Sequence, residues 1–158
     1  MADAQSTTFA LPGGHSLRYK MTFPYAPESG RPTILLSGLL ATTAAVWDDV
    51  VDVLHQNGFR TLRYGYETCI AALLSPQFDL RPVEVAGTVV SSDVERVLVV
   101  VGGKDADLPT SMKALADTMR DASGKDVGFH VLPNAGHASF IDGFDVWLEV
   151  VLPFLQAD

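Results

Sequence analysis

Two side chains in the second half of the chain have the types and the setting for acid–base chemistry. The first is Asp105, which follows the apolar run Arg96-Val-Leu-Val-Val-Val101 and the pair Gly102-Gly103. An apolar, β-branched run closed by glycines reads as a buried parallel strand that stops and presents a side chain at its carboxyl end. The second is His137, which follows the shorter run Gly128-Phe-His-Val-Leu132 and the turn-rich Pro133-Asn-Ala-Gly136. In an open α/β sheet the carboxyl edge of the strands is where ligands bind. An acid and an imidazole on that edge are the orienting acid and general base of a nucleophilic triad lacking only its nucleophile. Asp107 is near enough in sequence to compete as the acid, but its place just before Leu108-Pro109 suits a helix cap better.

The elements that would position this pair can be read along the chain. Residues 1–6 are small and polar and read as frayed. Thr8-Phe-Ala-Leu11 and Ser16-Leu-Arg-Tyr-Lys-Met-Thr-Phe23 alternate around Pro12-Gly-Gly-His15, the pattern of a β-hairpin. His15 is then an exposed turn residue. Thr33-Ile-Leu-Leu36 is a short strand followed by Ser37-Gly38-Leu39-Leu40. Trp47, Val50, Val51 and Leu54 recur at helical spacing, and His55-Gln-Asn-Gly58 ends that helix, with His55 on the surface of its last turn. Phe59–Tyr64 alternates as a strand.

Further on, Leu108-Pro109 opens a helix carrying Met112, Leu115, Ala116 and Met119 on one face. His130 alternates with Phe129 and Val131 and reads as a strand residue satisfied by packing. Phe140, Phe144, Trp147, Leu148, Val151 and Leu155 make the apolar face of a last helix that Pro153 kinks or ends. Cys69, the only cysteine, lies in a helix-like segment beside Ile70, Ala71 and Ala72. A thiol there could serve as a nucleophile, but a lone Cys in such company reads as a small buried hydrophobe. Residues 76–93 show no clean period.

Taken together, strand, G-x-x-D, helix, strand and then Gly136-His137 before a final amphipathic helix resemble the C-terminal part of the α/β-hydrolase fold. The enol-lactone hydrolase and small esterase branch is the most similar. Leu11–Leu17 resembles the first hairpin of that fold, Pro32–Leu40 its strand and oxyanion loop, and Ala44–Val51 with Gly58–Tyr64 the helix and strand that follow. The resemblance implies an α/β fold: an N-terminal β-hairpin, then mostly parallel strands flanked by helices, as one domain over 1–158. It also implies that the backbone amides of Gly38, Leu39 and Leu40, beside Ser37, hold a developing oxyanion or bind substrate; a plain strand-to-helix turn is the other reading of that loop. The family's nucleophile sits on a G-x-S-x-G elbow, and neither G-x-S-x-G nor G-x-C-x-G occurs in this sequence. Arg63-Tyr64-Gly65 runs instead into Tyr66–Leu73, which resembles the helix after the family's cap. Elbow and cap are therefore expected to be missing as one block between about 65 and 75, giving a truncated hydrolase-like sheet.

Bulk properties narrow the partners. With 158 residues, 47% of them hydrophobic, the chain is long enough for a folded core. A net charge of −8, from 11 basic and 19 acidic residues, leaves no excess positive charge to release phosphate counterions, which disfavours nucleic acid and anionic membranes. One cysteine, no charged-then-apolar leader and no apolar run of spanning length point to a soluble, cytoplasmic protein. Neither metal nor cofactor is expected. A sheet with its middle removed exposes an apolar edge that another chain can pair with, so a homodimer or a domain-swapped arrangement is expected.

The functional expectation is an enzyme acting on a small carbonyl, ester or lactone compound through the His137–Asp105 dyad and the oxyanion loop. Isomerisation, cyclisation, elimination, an aldol-type step or water-mediated hydrolysis would all suit it. Ser37 or Cys69 could substitute for the missing nucleophile, although Ser37 lacks an elbow. The alternatives are a non-catalytic binding or assembly protein on a degenerate hydrolase fold, and an accidental deletion product without function.

Overall fold

The structure, a computed structural model, describes residues 5–10, 16–22, 31–36, 44–64 and 93–157. The chain divides into two compact units, Met1–Phe78 and Asp79–Asp158.

In the first unit β1 (Gln5–Ala10) and β2 (Ser16–Thr22) form the expected antiparallel hairpin, with Gln5 opposite Met21 and Ala10 opposite Ser16. The strand thus begins inside the stretch expected to fray, because Gln5 and Ser6 gain ladder partners from β2. β3 (Thr33–Leu36) pairs parallel with β4 (Arg60–Tyr64), and β4 pairs antiparallel with β2, giving the order β1-β2-β4-β3. A 3₁₀ turn at Ala44–Trp47 leads into α1 (Asp48–Gln56), whose first turn carries Asp48 and Asp49, where the helix dipole favours negative charge. Gly58, at φ 79°, takes the left-handed conformation that ends the helix.

The amphipathic pattern then buries Val50, Val51 and Leu54, together with Phe59 and Thr61 at the start of β4. Burying the whole Phe59 side chain contributes roughly 2–3 kcal/mol. His55 departs from its expected surface role. It is half-buried, and its Nε2 lies 3.2 Å from both Thr22 Oγ1 and Thr61 Oγ1, themselves 2.7 Å apart. Loss of solvent lowers the His55 pKa from the ordinary value, partly offset by the charge of Asp52.

The second unit is a β-α-β unit: β5 (Arg96–Gly102), α2 (Leu108–Ser123) and β6 (Asp126–Leu132), the two strands parallel with Arg96 opposite Asp126 and Gly102 opposite Leu132. Side chains alternate across a strand, so Val97, Val99, Val127 and Phe129 share one face, and Leu115, Ala116 and Met119 of α2 pack on it. Gly124, at φ 65°, caps α2 with its amide on the Arg120 carbonyl. His130 stands on the other face and is exposed, not packed as its alternation implied.

The last apolar segment is two helices rather than one: α3 (Ser139–Asp142) and α4 (Phe144–Gln156). The break falls at Gly143, where a Cβ would stand 3.1 Å from Ala135 Cβ, so a residue without a side chain lets the corner approach the loop after β6. Phe140 is buried and meets Trp147 edge-on, at 6.3 Å between ring centres. Pro153 lies within α4 without ending it. Among the described residues no helix is long and apolar enough to cross a membrane.

Candidate functional site

The parallel register sets the site. Because Gly102 and Leu132 are cross-strand neighbours, the chain leaves β5 and β6 side by side, and the segments carrying Asp105 and His137 begin together. Backbone hydrogen bonds then tie the two exits to each other. The Gly103 amide donates to Leu132 O (2.8 Å), and the Lys104 amide to Ala135 O (3.0 Å). This contact needs a glycine: a Cβ on Gly102 would stand 2.6 Å from Ala135 O and closer still to Gly136 O.

The result is a direct contact between the two residues singled out by the sequence, with His137 Nδ1 2.6 Å from Asp105 Oδ2. Asp105 also serves the helix beside it, since its Oδ1 accepts the amides of Asp107 (3.1 Å) and Leu108 (3.0 Å). One carboxylate therefore caps α2 with one oxygen and holds the imidazole with the other. Asp107, expected to cap, makes no side-chain cap bond; Asp105 has taken that place. The His137 bond first, then the amides of Leu108 and Asp107, hold the Asp105 carboxyl below the ordinary value of 3.8.

An ionised Asp105 is an acceptor only, so the bond assigns the proton to His137 Nδ1 and leaves Nε2 as the basic nitrogen of the neutral ring. The His137 side chain is 75% exposed and that of Asp105 17%. The acid is thus seated in the fold while the imidazole reaches solvent, where Nε2 can take or give a proton.

Ser37, Gly38, Leu39 and Leu40 lie outside the described residues, as do Cys69 and the whole stretch 65–92, which contains the interval of about 65 to 75 where elbow and cap are expected to be missing. An open, mainly apolar hollow of about 440 Å³ between α2 and β6 is lined by Pro109, Ala114, Phe129 and Val131 among others, and neither His137 nor Asp105 borders it. Two residues contribute to the site in ways the sequence pattern did not indicate: Gly102, which marks the strand end and also lets the loops meet, and Asp142, whose Oδ2 accepts the Gly136 amide at 3.1 Å. The acid-plus-glycine spacing before and after His137 was the available clue to the second.

This geometry can be set beside known proteins. No protein-family model matches the sequence, and no curated protein matches it. Solved structures do. The native thermophilic esterase Est2 from the Planctomycetes species Thermogutta terrifontis is similar over 96% of this chain and 91% of its own, with a TM-score of 0.62 and 11% identity. The two chains share an α/β fold, a sheet with flanking helices. Thermogutta terrifontis esterase 2 phosphoramylated by tabun agrees, with a TM-score of 0.56 and 10% identity over 98% of this chain and 97% of that one. At such identities the likeness concerns the backbone path. What is shared is an N-terminal hairpin, parallel strand pairs and flanking helices, the α/β architecture that the resemblance implied.

Proposed function

We propose that this chain is an α/β-hydrolase-fold enzyme that works without a serine nucleophile, using His137 as general acid–base and Asp105 as its orienting acid. The observation that carries the reading is the 2.6 Å bond from His137 Nδ1 to Asp105 Oδ2 at neighbouring strand exits, with the ring exposed. A fixed Nδ1–H leaves Nε2 to remove a proton next to a carbonyl, or to activate a water, and return the proton later in the cycle. The amides of Gly38–Leu40, with Ser37 beside them, are the proposed donors for the enolate or tetrahedral oxyanion. The substrate class is a small carbonyl, ester or lactone compound, and the absence of an elbow motif favours isomerisation, cyclisation, elimination, an aldol-type step or direct hydrolysis over an acyl-enzyme route. We further infer a cytoplasmic homodimer, of which a domain-swapped pair is one form, whose partner would fill the place of the strands that the expected truncation removes.

The test is turnover by the purified chain on a panel of enolisable carbonyls, lactones and small esters, beside His137→Ala. The variant should lose roughly 10²–10⁴-fold of the rate; equal rates sink the proposal. A fluorophosphonate probe should leave no adduct, and labelling of Ser37 or Cys69 would replace this mechanism with a nucleophilic one. Selective binding without turnover of any panel member would favour the binding or assembly protein instead.

A further inference from the structure

His137 lies in a short stretch that belongs to neither β6 nor α3, so its backbone is placed by individual bonds. Upstream, the Gly136 amide donates to Asp142 Oδ2 at 3.1 Å. Downstream, the Ala138 carbonyl accepts the amides of Ile141 (2.8 Å) and of Asp142 itself (3.1 Å). Asp142 therefore holds the residue on each side of His137, one with its carboxylate and one with its amide. Its own support is firm: α3 is anchored by Ser139 and Phe140, both buried. Gly136 is matched to this contact, since a Cβ there would stand 2.6 Å from the same Oδ2.

We infer that Asp142 is the positioning residue of the His137–Asp105 pair, its carboxylate setting the approach of the histidine loop so that Nδ1 meets Asp105 Oδ2. The inference rests on the acid–base reading above and adds a residue to it. Asp142 touches no reacting group and acts only through the backbone of Gly136. Removing its carboxylate leaves the Gly136 amide to water, and between the Lys104–Ala135 bond upstream and the Ala138 carbonyl downstream nothing then fixes the turn of the loop at Gly136. Asparagine keeps an acceptor oxygen in the same place and preserves the bond.

The experiment is solution NMR on the full chain with ¹⁵N-labelled histidine, following the His137 Nδ1–H resonance, with Asp105→Ala as the assigning control and amide exchange at Gly136 in parallel. In the unmodified chain the Nδ1–H signal should be present and Asp105-dependent. Asp142→Ala should speed solvent exchange of that proton and of the Gly136 amide roughly fivefold to tenfold, while Asp142→Asn restores both. Gly136→Ala, which displaces the carboxylate rather than removing it, should resemble Asp142→Ala. A signal unchanged in Asp142→Ala, or lost equally in the asparagine variant, overturns the positioning role and leaves the dyad intact. A signal missing from the unmodified chain instead brings down the dyad itself, and the positioning role with it. Should Asp142→Ala fail to fold, exchange at Gly136 in the unmodified chain decides: an amide exchanging as fast as a free one refutes the tether.

Discussion

Gly102→Ala tests whether the approach of the two strand exits is what creates the site. The added Cβ would stand 2.6 Å from Ala135 O and 2.7 Å from the Gly136 carbonyl carbon. Both are backbone atoms, so no side chain can swing aside. The Gly136 carbonyl oxygen is closer still, so restoring an ordinary carbon–oxygen distance demands a retreat of roughly 1.5 Å by the loop that carries His137. The same shift would stretch the 3.0 Å bond from Lys104 N to Ala135 O beyond hydrogen-bond range, and the 2.6 Å His137–Asp105 bond with it. Overpacking of this kind costs about 1–3 kcal/mol and the lost backbone bond about 1 kcal/mol, so the second unit should lose about 2–4 kcal/mol.

Trp147 lies in that unit and Trp47 in the other. Urea unfolding followed by fluorescence in a Trp47→Phe background therefore reports on the relevant transition. Turnover, once a substrate is in hand, should fall by about 10²-fold or more, since a 1 Å misplacement of a catalytic group has that effect. A variant within about 0.5 kcal/mol of the parent that retains the His137 Nδ1–H signal would refute the reasoning, because the loops would then have room that the structure denies them.

Three further outcomes follow from particular contacts. Thr61→Val removes a fully buried hydroxyl that Thr22 and His55 share, and should destabilise the first unit by about 1–2 kcal/mol in chemical denaturation. Gly124→Ala meets no neighbouring atom but forces a side chain onto φ 65°, so it should cost about 1–2 kcal/mol through backbone strain alone, with Gly124→Asn costing less. The acid limb of stability should depend on Asp105. Its folded pKa lies below the unfolded value near 3.8, so the stabilisation is fully present above that value and is lost as pH falls through the lower folded pKa. Denaturation midpoints measured across that window should show a shallower decline in Asp105→Asn than in the parent, and parallel profiles would count against the assignment.

The sequence by itself determined the β5–α2–β6 pattern of the second unit and which acid and histidine follow its two strands. Apolar β-branched runs at 96–102 and 126–132, and a helical period over 108–123, record which faces must leave water, and that record is local. Glycine, proline and asparagine after each run mark where strands stop, so the acid and the histidine could be placed at two strand ends before any contact was known. The first hairpin and the β3–α1–β4 segment were legible for the same reason.

What only the tertiary structure decided depends on groups distant in sequence. Gly102 looks like any strand-ending glycine until the backbone of residues 135–136 is found against it. His55 has the local signature of a helix-end surface residue, yet Thr22, on a strand far upstream, draws its ring into a hydroxyl cluster. Asp107 looked like the cap of α2, but Asp105 is turned toward the helix amides by the same geometry that gives it His137. The final apolar stretch has one continuous helical period, and its break at Gly143 comes from the loop it must approach, which periodicity does not encode. Local pattern specifies which residues are buried and where the chain turns. Which backbone atoms then come within reach of one another is settled by packing between elements, and it is there that a carboxylate, an imidazole and the bonds that aim them are brought together.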